Sequence, residues 1–513
     1  MPKTLCELLE SIAERQLVST QGELSGEISA PVTESSLEVE PGGIFVARKG
    51  GSSDGHHYIS QAIAAGAAAI VGEAPQGDLS VPYIRVRDAQ AVIGPLAAAY
   101  HDFPSRELVV IGVTGTDGKT TTCHLLHSVL QRVSHVKAGY ISTISADFGD
   151  ERAATGLHVT TPGAPQVQAY LARMVAAGLT HCILEMTSHG LAQGRLNGVD
   201  NDVAALTNVM HEHLDYHGSW ENYRAAKAIM FKMLGESWRK PGIPKLSVIN
   251  ADDESAAYFG AFAADRLQSY GVHALADYRA TDLRFRPDST SFRVQGQRFE
   301  MGLPGEFNVS NALAAIVAAR ELGVSWSDIR AGIAAVDLVS GRMERIDAGQ
   351  DFIAMVDFAH SPNALRRALQ AGRGMLPPGK RLIAVFGSAG LRDVEKRRLM
   401  AETSAQLADL TVLTAEDPRT ESLDDILEMM AEGCRAKGGI EGESFIRVPD
   451  RGEAIFRACQ LARSGDLVMA CGKGHEQSMC FGATEHPWDD RNAMRSALRG
   501  APLATLPTAK SGR

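Results

Sequence analysis

One glycine-rich segment of the chain has the residue types and spacing to hold a nucleotide phosphate. The segment GTDGKTTT, residues 115–122, follows a short apolar run and precedes a helical pattern that begins at Lys119. Glycines let backbone N–H groups converge on phosphate oxygens, and a helix N-terminus adds the positive end of its dipole. Lys119 would then reach the terminal phosphates, and the Thr120 hydroxyl would ligate Mg²⁺. The strict G-x-x-x-x-G-K-[ST] pattern is not met, because Val113 stands at its first glycine position, and a glycine-rich turn with a surface lysine is the alternative interpretation.

A second group of chemistry-bearing side chains has the spacing H-x-H-x-D-x-H. It consists of His211, His213, Asp215 and His217, and taken alone it could suggest a zinc site. A phosphate loop already supplies a magnesium-dependent role, which disfavours a dedicated zinc site. His211 and His217 could equally be polar loop residues. Since such loops serve kinases, ATPases and GTPases as readily as ligases, the rest of the chain has to decide between them.

Length and composition narrow the classes of protein. With 513 residues the chain is expected to form about three domains. The 61 acidic and 51 basic residues give a net charge of −10, which argues against a nucleic-acid binder. No signal-peptide pattern and no apolar run of membrane-spanning length is present, and the seven scattered cysteines fit a reducing cytoplasm. We expect a cytoplasmic α/β protein without membrane insertion, and a monomer.

The elements that must position these residues fall into three parts. Residues 1–106 predict a small mixed α/β domain, with an alanine-rich helix near 58–66 and a last helix that ends at Pro104. Residues 107–339 predict a doubly wound α/β domain, because short apolar runs alternate with helical patterns. Residues 340–513 predict a second, Rossmann-like α/β domain on the same grounds. The strands predicted in these two domains are 108–115, 181–186, 203–209, 246–250, 352–357, 381–387, 410–415 and 466–472.

The loop sequence resembles a known signature. GTDGKTTT is similar to the G-T-N-G-K-T-T-T of the Mur ligases, the ATP-dependent amide ligases of peptidoglycan assembly, with Asp117 in place of the Asn. Other matching segments follow in collinear order over nearly the whole chain, among them DGHHYI at 54–59, LEMTSHGLAQGR at 184–195, TNVMHEHLDYHG at 207–218, EFNVSNALAA at 306–315 and CGKGHE at 471–476. They are most similar to the branch that adds the third peptide residue to UDP-N-acetylmuramoyl-L-alanyl-D-glutamate. The resemblance implies that the three domains bind the UDP-muramoyl substrate, ATP and the amino acid, in that order.

The resemblance also implies the reaction and its metal. ATP would convert the γ-carboxylate of D-glutamate into an acyl phosphate, and an amine would then displace phosphate. Positioning and charge neutralisation dominate such transfers, and Mg²⁺ is the expected cation. With Lys119, the expected catalytic residues are Glu185, His213 and Lys227, which the resemblance places with Thr120 at the metal; Lys227 corresponds to the lysine that this family carbamylates. The family's ATP contacts map onto Gly115, Thr116, Asp117, Gly118, Lys119, Thr120, Thr121, Asn308, Asn311, Arg342, Asp357 and His360.

Two aspects of the expected ATP site stay open. Asn308 and Asn311 begin a helix with N-x-x-N spacing, so their amides could read an adenine edge, or Asn308 could cap the helix. Asp117 adds an anion near ATP, which is unfavourable unless it faces Mg²⁺ or a basic neighbour. The ATP contacts beyond residue 340 belong to the third domain, so ATP would bridge two domains and domain closure would bring the amine to the acyl phosphate.

The resemblance assigns the two other substrates to separate sets of residues. Contacts to the UDP-sugar peptide map onto Ser35, Thr160, Thr161, Thr187, Gln193 and Arg195. The family's D-S-R appears here as Glu34-Ser35-Ser36, so the arginine of that motif is absent. Contacts to the incoming amino acid map onto Arg392, Asp417, Pro418, Arg419, Gly472 and Glu476.

The residues of the third domain bear on which amino acid is added. Arg419 would bind the distal carboxylate of meso-2,6-diaminopimelate and would repel the cationic end of lysine. Asp417 stands where the family's D-N-P-R has Asn, and its charge would favour an ammonium group instead. L-lysine and L-ornithine are therefore alternative amino acids, and another UDP-linked molecule is an alternative acceptor. For Arg419, the alternative to substrate binding is an ion pair with Glu421. A catalytically inactive scaffold is disfavoured by the intact phosphate loop and metal-site residues.

Overall fold

The computed structural model of the chain describes residues 3–50, 53–153, 161–210, 214–286 and 289–509. The first part contains a five-stranded sheet with helices packed against it. Its elements are β1 (Lys3–Thr4), α1 (Leu5–Leu9), β2 (Leu17–Gln21), β3 (Glu27–Ile28), β4 (Val32–Thr33), β5 (Ile44–Ala47), α2 (Ile59–Ala64), β6 (Ala69–Gly72), β7 (Tyr83–Val86) and α3 (Ala89–Tyr100). The sheet order is β2-β7-β6-β5-β4, in which only β2 runs antiparallel to its neighbour.

The two helices predicted in this part are present, one with a different end. The helix near 58–66 is α2, whereas α3 ends at Tyr100 and not at Pro104. The reason is local backbone geometry: Asp102 and Phe103 have φ values of 59° and 52°, which no right-handed helix can accommodate. A short 3₁₀ turn, Pro104–Arg106, then leads into the next sheet.

The middle part is built on a nine-stranded sheet. Its elements are β8 (Val109–Thr114), α4 (Lys119–Leu130), β9 (Ala138–Ile141), β10 (Ala146–Asp147), β11 (Arg152–Ala153), α5 (Ala164–Ala176), β12 (His181–Glu185), α6 (Ser188–Ala192), β13 (Val203–Leu206), α7 (Leu214–His217), α8 (Trp220–Glu236), β14 (Leu246–Asn250), α9 (Ala256–Gly260), β15 (Arg266–Gly271), β16 (Tyr278–Arg279), β17 (Thr281–Phe285), β18 (Thr290–Val294), β19 (Gln297–Met301), α10 (Glu306–Glu321) and α11 (Trp326–Ala334). The order is β11-β10-β9-β12-β8-β13-β14-β15-β16, parallel from β9 to β16, while β17–β19 form a separate antiparallel sheet.

Strand β8 shows why the middle sheet reads as a continuous apolar run. Ile111 and Val113 belong to one apolar core, and Val110 belongs to the core on the opposite face. Side chains alternate between the faces of a strand, so a strand covered by helices on both sides must be apolar throughout.

The last part contains a six-stranded sheet, again with a core on each face. Its elements are β20 (Glu344–Ile346), β21 (Ile353–Asp357), α12 (Pro362–Met375), β22 (Leu382–Phe386), α13 (Glu395–Leu407), β23 (Leu410–Leu413), α14 (Leu423–Ala436), β24 (Phe445–Arg447), α15 (Arg451–Leu461), β25 (Leu467–Cys471), β26 (Ser478–Phe481), β27 (Thr484–Pro487) and α16 (Asp490–Leu498). The order is β20-β21-β25-β22-β23-β24, with β20 antiparallel, and β26–β27 form a separate hairpin.

The predicted fold class is confirmed, since three α/β units follow one another along the chain. Every strand predicted in the middle and last parts is present, with ends that differ by a few residues. The domain boundaries at 106/107 and 339/340 stay predictions. Within the described ranges, no helix is long and apolar enough to cross a bilayer.

The two larger sheets present their carboxyl ends to one cleft. Strands β8 and β12 are parallel neighbours that end at Thr114 and Glu185, and β21 and β25 are parallel neighbours that end at Asp357 and Cys471. In open α/β sheets, ligands bind at this edge. Residues of both sheets line a continuous cleft of about 1820 Å³.

Candidate active site

The phosphate loop closes tightly between β8 and α4. Gly118 is the N-cap of α4 and has a φ of 83°, a conformation that a residue with a side chain adopts only under strain. A Cβ atom at this position would also lie 2.0 Å from Asn311 Oδ1. Only glycine therefore fits here, and the helix begins with Lys119 and Thr120 facing the cleft.

Two lysine ammonium groups converge on this loop. Lys119 Nζ donates to the carbonyl oxygens of Gly115 and Thr116 at 3.1 and 2.8 Å. Lys227, on α8, donates to the same Gly115 oxygen at 2.6 Å, is 1% exposed, and lies 4.2 Å from the centre of the Tyr223 ring. The result is a concentration of positive charge at a helix N-terminus, which suits a polyphosphate.

The oxygens expected at the metal lie together. Thr120 Oγ1 donates to both carboxylate oxygens of Glu185, at 3.1 and 3.0 Å, and the backbone N–H and hydroxyl of Thr143 donate to the same carboxylate at 2.9 and 2.8 Å. Hydroxyl and carboxylate oxygens are ligands that Mg²⁺ prefers, so the side chains of Thr120 and Glu185 fit this ion. Glu185 is 3% exposed and ends β12, which fixes its position.

The histidine cluster is only partly within the described residues. His211 and His213 lie outside them, and of Asp215 only the backbone, in α7, is described. His217 Nε2 lies 3.1 Å from Ser188 Oγ. Elsewhere in the described ranges no group of three or more His, Cys, Asp or Glu side chains is arranged to hold a metal.

Asn308 and Asn311 are hydrogen-bonded to each other near the start of α10, and Asn311 lies close to Gly118 of the phosphate loop. Asn308 Nδ2 donates to Pro304 O at 2.7 Å, and Asn311 Nδ2 donates to Asn308 Oδ1 at 3.1 Å, with both residues buried. The alternative of an Asn308 helix cap is wrong, because the N-cap of α10 is Gly305. Their contact with ATP stays a prediction.

Residues of the last sheet reach the phosphate loop. Arg342 Nη2 donates to Thr120 Oγ1 at 3.4 Å and its guanidinium lies 4.4 Å from the centre of the Phe358 ring. The Asp357 carboxylate accepts the N–H groups of Met343 and Ala359 at 2.7 and 2.8 Å, and burial raises the pKa of this carboxyl. All of these residues line the same cleft, as does His360, whose Nδ1 lies 2.9 Å from Phe358 O.

Four of the six residues expected to hold the UDP-sugar peptide line the cleft and are connected by hydrogen bonds. Arg195 donates to Thr161 O at 2.7 Å and to Gln193 Oε1 at 2.6 Å, and the hydroxyls of Thr161 and Thr187 lie 3.1 Å apart. Burial lowers the pKa of Arg195. All four line the cleft, whereas Ser35 does not, and Thr160 lies outside the described residues.

The motif E-D-P-R has its own backbone geometry. Asp417 and Arg419 have φ values of 40° and 53°, which is rare for residues with side chains and is found at ligand sites. Arg419 N donates to Cys480 O at 3.1 Å, so the turn joins the β26–β27 hairpin. Arg419 Nη1 donates to Gly390 O at 2.6 Å. The alternative of an Arg419–Glu421 ion pair is wrong, because Glu421 pairs with Arg397 at 2.8 Å.

The negative charge of Asp417 is neutralised within the protein. Its two oxygens lie 3.1 and 3.0 Å from Lys473 Nζ, and Oδ1 also accepts Cys480 N–H at 2.9 Å. Lys473 is fully buried and pairs with Glu476 as well. Burial lowers the pKa of Lys473, but Glu476 and Asp417 outweigh burial and the net pKa is raised. Lys473 was not predicted as a site residue; its position next to Gly472 in the CGKGHE segment was the available signal.

Glu416 is a second residue that the sequence prediction missed. Its side chain lines the cleft, and its buried Oε2 has no hydrogen-bond partner. Burial raises the pKa of Glu416 to about 7. Gly472, at φ 111°, lets this carboxylate approach, because a Cβ there would lie 2.3 Å from Glu416 Oε2. The signal was present, since Glu416 opens the motif E-D-P-R.

Fold and site together define the class of protein. A phosphate loop with two lysines faces a buried carboxylate–hydroxyl pair, and residues of the last sheet bring basic and acidic side chains into the same cleft. This arrangement suits an enzyme that uses ATP.

Comparisons with known proteins identify the family. Three family descriptions match: "Mur ligase family, catalytic domain" over 32–101, "Mur ligase middle domain" over 113–319, and "Mur ligase, glutamate ligase domain" over 341–474. The UDP-N-acetylmuramyl-tripeptide synthetase of Roseiflexus sp. strain RS-1 is 43% identical over 484 residues, 91% of this chain and 94% of that protein. The UDP-N-acetylmuramoyl-L-alanyl-D-glutamate–2,6-diaminopimelate ligase of Halalkalibacterium halodurans is 37% identical over 468 residues, 90% and 93% of the two chains.

A solved structure of a UDP-N-acetylmuramoyl-L-alanyl-D-glutamate–2,6-diaminopimelate ligase has the same architecture, with a TM-score of 0.66, 28% identity, and coverage of 97% of this chain and 99% of that one. The chain belongs to the Mur ligase family. It is an ATP-dependent enzyme that forms amide bonds in the synthesis of peptidoglycan precursors.

Proposed function

We propose that this ligase adds meso-2,6-diaminopimelate to the D-glutamate γ-carboxylate of UDP-N-acetylmuramoyl-L-alanyl-D-glutamate, with ATP and Mg²⁺. The name of the Halalkalibacterium relative supports both substrates. The Roseiflexus relative carries a name that leaves the amino acid open. The choice of amino acid therefore depends on the charges of the third site.

The observation that carries the proposal is the pairing of Asp417 with buried Lys473. An unpaired Asp417 would oppose a substrate carboxylate, but its charge is matched by an ammonium group 3.0 Å away. Arg419 lines the cleft, and Gly390 O takes one of its hydrogen bonds. A guanidinium has five N–H donors in a fork that matches a carboxylate, so Arg419 can still bind the distal carboxylate of diaminopimelate.

Two acids of the same region suit the ammonium groups of the amino acid. Glu416 offers a buried carboxylate oxygen without a hydrogen-bond partner, and Glu476, which pairs with Lys473, lines the same cleft. A buried carboxylate gains most from a cationic ligand that supplies the missing hydrogen bond. Glu416 is also the observation that favours the second candidate, L-lysine or L-ornithine, whose side chains end in an ammonium group. The cationic Arg419 opposes that candidate.

The reaction proceeds in two balanced steps. An oxygen of the γ-carboxylate attacks the terminal phosphorus of ATP, the bond to ADP breaks, and a mixed anhydride forms. The amine nitrogen then attacks the anhydride carbon, phosphate leaves with the electron pair, and the amine gives up a proton. Mg²⁺ would neutralise the charges of ATP and carboxylate in the first step.

The side chains of the middle sheet serve the first step. Lys119 places positive charge beside the loop that would receive the phosphates, and Arg342 reaches Thr120 of the same loop from the last part of the chain. Thr120 and Glu185 would hold the cation. Carbamylation would replace the positive charge of Lys227, which lies at Gly115 O of the loop, by a carboxylate that could also hold the cation. This modification and the role of His213 at the cation belong to the same proposal.

The remaining assignments are also proposals. Arg195, with Thr161, Thr187 and Gln193, would hold the anionic part of the UDP-sugar peptide. We propose that the enzyme acts in the cytoplasm as a monomer. Size-exclusion chromatography with light scattering tests the monomer, and an observed dimer would refute it.

An amino-acid panel tests the proposed function. The purified protein would be given ATP, Mg²⁺ and UDP-N-acetylmuramoyl-L-alanyl-D-glutamate with meso-diaminopimelate, L-lysine or L-ornithine in turn. We expect phosphate release and a tripeptide product with the highest kcat/KM for diaminopimelate. Faster turnover of lysine or ornithine would support the second candidate and refute the first.

A further inference from the structure

Asp117 occupies a fixed place in the phosphate loop. Its backbone N–H donates to Asn208 Oδ1 at 3.0 Å, and its carbonyl oxygen accepts hydrogen bonds from Thr207 Oγ1 at 2.6 Å and Asn208 Nδ2 at 3.0 Å. With the backbone held by three hydrogen bonds, the direction of the side chain is set by the loop. The carboxylate therefore lies in the cleft between the middle and last sheets.

This carboxylate faces a cation from the last part of the chain. Oδ2 is buried and has no hydrogen-bond partner, and Arg367 Nη1 of α12 lies 3.9 Å from it. Asp357 is close enough that the charge of Asp117 helps burial to raise its pKa. A carboxylate among these groups and beside a bound polyphosphate is unfavourable unless a cation compensates it, and Arg367 supplies that cation.

The helix that carries Arg367 packs against the middle part along one face. Ala364, Arg367, Ala371 and Gly374, at helical spacing, line the cleft, and Ala371 Cβ lies 3.2 Å from the position of a Cβ on Gly305, the N-cap of α10. The other members of this row are small, so Arg367 is its one charged side chain. Charge on this face is therefore concentrated opposite the phosphate loop.

We propose that Asp117 and Arg367 form a positioning pair that draws the last domain onto the phosphate loop. The pair rests on the proposed function in one respect: the ligase needs the amino-acid site of one domain to meet the acyl phosphate held by the other. Asp117 repels the phosphates of ATP, but its pairing with Arg367 stabilises the arrangement in which the last domain is closed onto the phosphate loop. We assign to neither side chain a contact with the reacting atoms.

The size of the effect follows from the exposure of the pair. Asp117 and Arg367 are 26% and 35% exposed, so solvent weakens their attraction. Partly exposed pairs of this kind change an equilibrium about two- to fivefold. Since closure is required for the amine to react, loss of the pair should raise the KM for the amino acid. Raised salt should make this increase in KM smaller, because it screens the attraction between the two charges.

A double-mutant cycle tests the pair. Arg367→Gln should raise the amino-acid KM about two- to fivefold in the natural background and leave it nearly unchanged in the Asp117→Asn background. Arg366→Gln is the matched control, because it removes the same charge one position earlier on α12. Arg366 Nη2 donates to Thr403 Oγ1 of its own domain at 3.5 Å and not to the phosphate loop. The control should leave the amino-acid KM unchanged.

Two kinetic results would overturn the proposal. One is an Arg367→Gln effect that is equal in both backgrounds. The other is an Asp117→Asn effect on Mg²⁺ dependence without any coupling to Arg367, which would assign Asp117 to the cation instead.

Small-angle scattering separates this proposal from the ligase assignment. With a non-hydrolysable ATP analogue bound, Asp117→Asn and Arg367→Gln should each give a larger radius of gyration than the natural protein and the Arg366→Gln control. Equal radii would refute the pair even if the enzyme ligates diaminopimelate. A larger radius in both variants, without turnover of any amino acid, would uphold the pair and refute the proposed function.

Discussion

Replacing Glu416 by Gln should change how the stability of the last domain depends on pH. Burial raises the pKa of this carboxyl from 4.5 to about 7. Between these two values the folded protein keeps the proton that the unfolded chain has lost. The contribution of Glu416 to stability therefore falls as pH rises from about 4.5 to about 7, and this contribution is constant above that range. Glutamine carries no titrating proton and removes this dependence.

The magnitude follows from the same shift. One pKa unit corresponds to about 1.4 kcal/mol, so a shift from 4.5 to about 7 corresponds to roughly 3 kcal/mol in the free energy of unfolding. The free energy of unfolding of the Glu416→Gln variant, minus that of the natural protein, should therefore increase by up to this amount between pH 4.5 and pH 8. Lys396, Arg451 and Lys473 lower the pKa of Glu416 and Asp417 raises it, and these influences are already contained in the shift.

Hydrogen exchange of the β25 amides measures this difference locally, because β25 ends at Cys471 and the next residue, Gly472, lies beside Glu416. Glu443→Gln is the matched control, since Glu443 is an exposed residue of the same domain. The control should show no change in the pH dependence. Parallel stability profiles of the natural protein and the Glu416→Gln variant would refute the assignment of a buried, proton-binding Glu416.

The same substitution has an expected kinetic effect. An ionised Glu416 attracts the ammonium group of the amino acid and a protonated one does not. The amino-acid KM of the natural protein should therefore rise as pH falls below about 7, while the KM of the variant should be higher and less dependent on pH. Identical pH profiles of KM would place Glu416 outside the amino-acid site.

Three further substitutions test the other assignments. Arg419→Ala should raise the diaminopimelate KM by about ten- to a hundredfold, the effect of losing a charge-assisted hydrogen-bonding group, and leave acyl-phosphate formation intact; equal loss of both steps would contradict its role. Lys473→Met should lower the free energy of unfolding, measured with denaturant, by about 3–5 kcal/mol, because it leaves Asp417 as a buried unpaired charge. The double mutant Asp417→Asn/Lys473→Met should recover part of that loss, because it also removes the unpaired charge. Lys227→Ala should lose acyl-phosphate formation, and partial rescue of phosphate release by bicarbonate or chloride would support carbamylation, whereas absence of rescue would count against it.

Much of the fold could be predicted because its large strands are buried on both faces. Such strands read as continuous apolar runs, and β8, β12 and β22 are examples. The pairing of β10 with β11 and the small sheet of β17–β19 were not predicted. Two-residue strands and half-exposed antiparallel strands depend on neighbours that the local sequence does not specify.

The candidate site divides along the same line. The loop residues Gly118, Lys119 and Thr120 are adjacent in sequence, so their spacing carried the prediction. The charges of the two substituted acids are balanced by residues distant in the chain. Lys473 pairs with Asp417, and Arg367 lies opposite Asp117. The sequence shows each substituted acid but not the cation that the fold brings to it. Asp117 therefore had no explanation from the sequence, and Asp417 was expected to favour an ammonium group of the substrate.

Trapping of the acyl phosphate tests the central claim most directly. The purified protein would be incubated with ATP, Mg²⁺ and UDP-N-acetylmuramoyl-L-alanyl-D-glutamate without any amino acid, and the anhydride would be reduced with borohydride to an alcohol for mass spectrometry. We expect the reduced acceptor from the natural protein and none from Lys119→Ala, which lacks the ammonium group that Lys119 places at the phosphate loop. A natural protein that forms tripeptide but never yields the reduced acceptor, or a Lys119→Ala variant that yields it undiminished, would contradict the account.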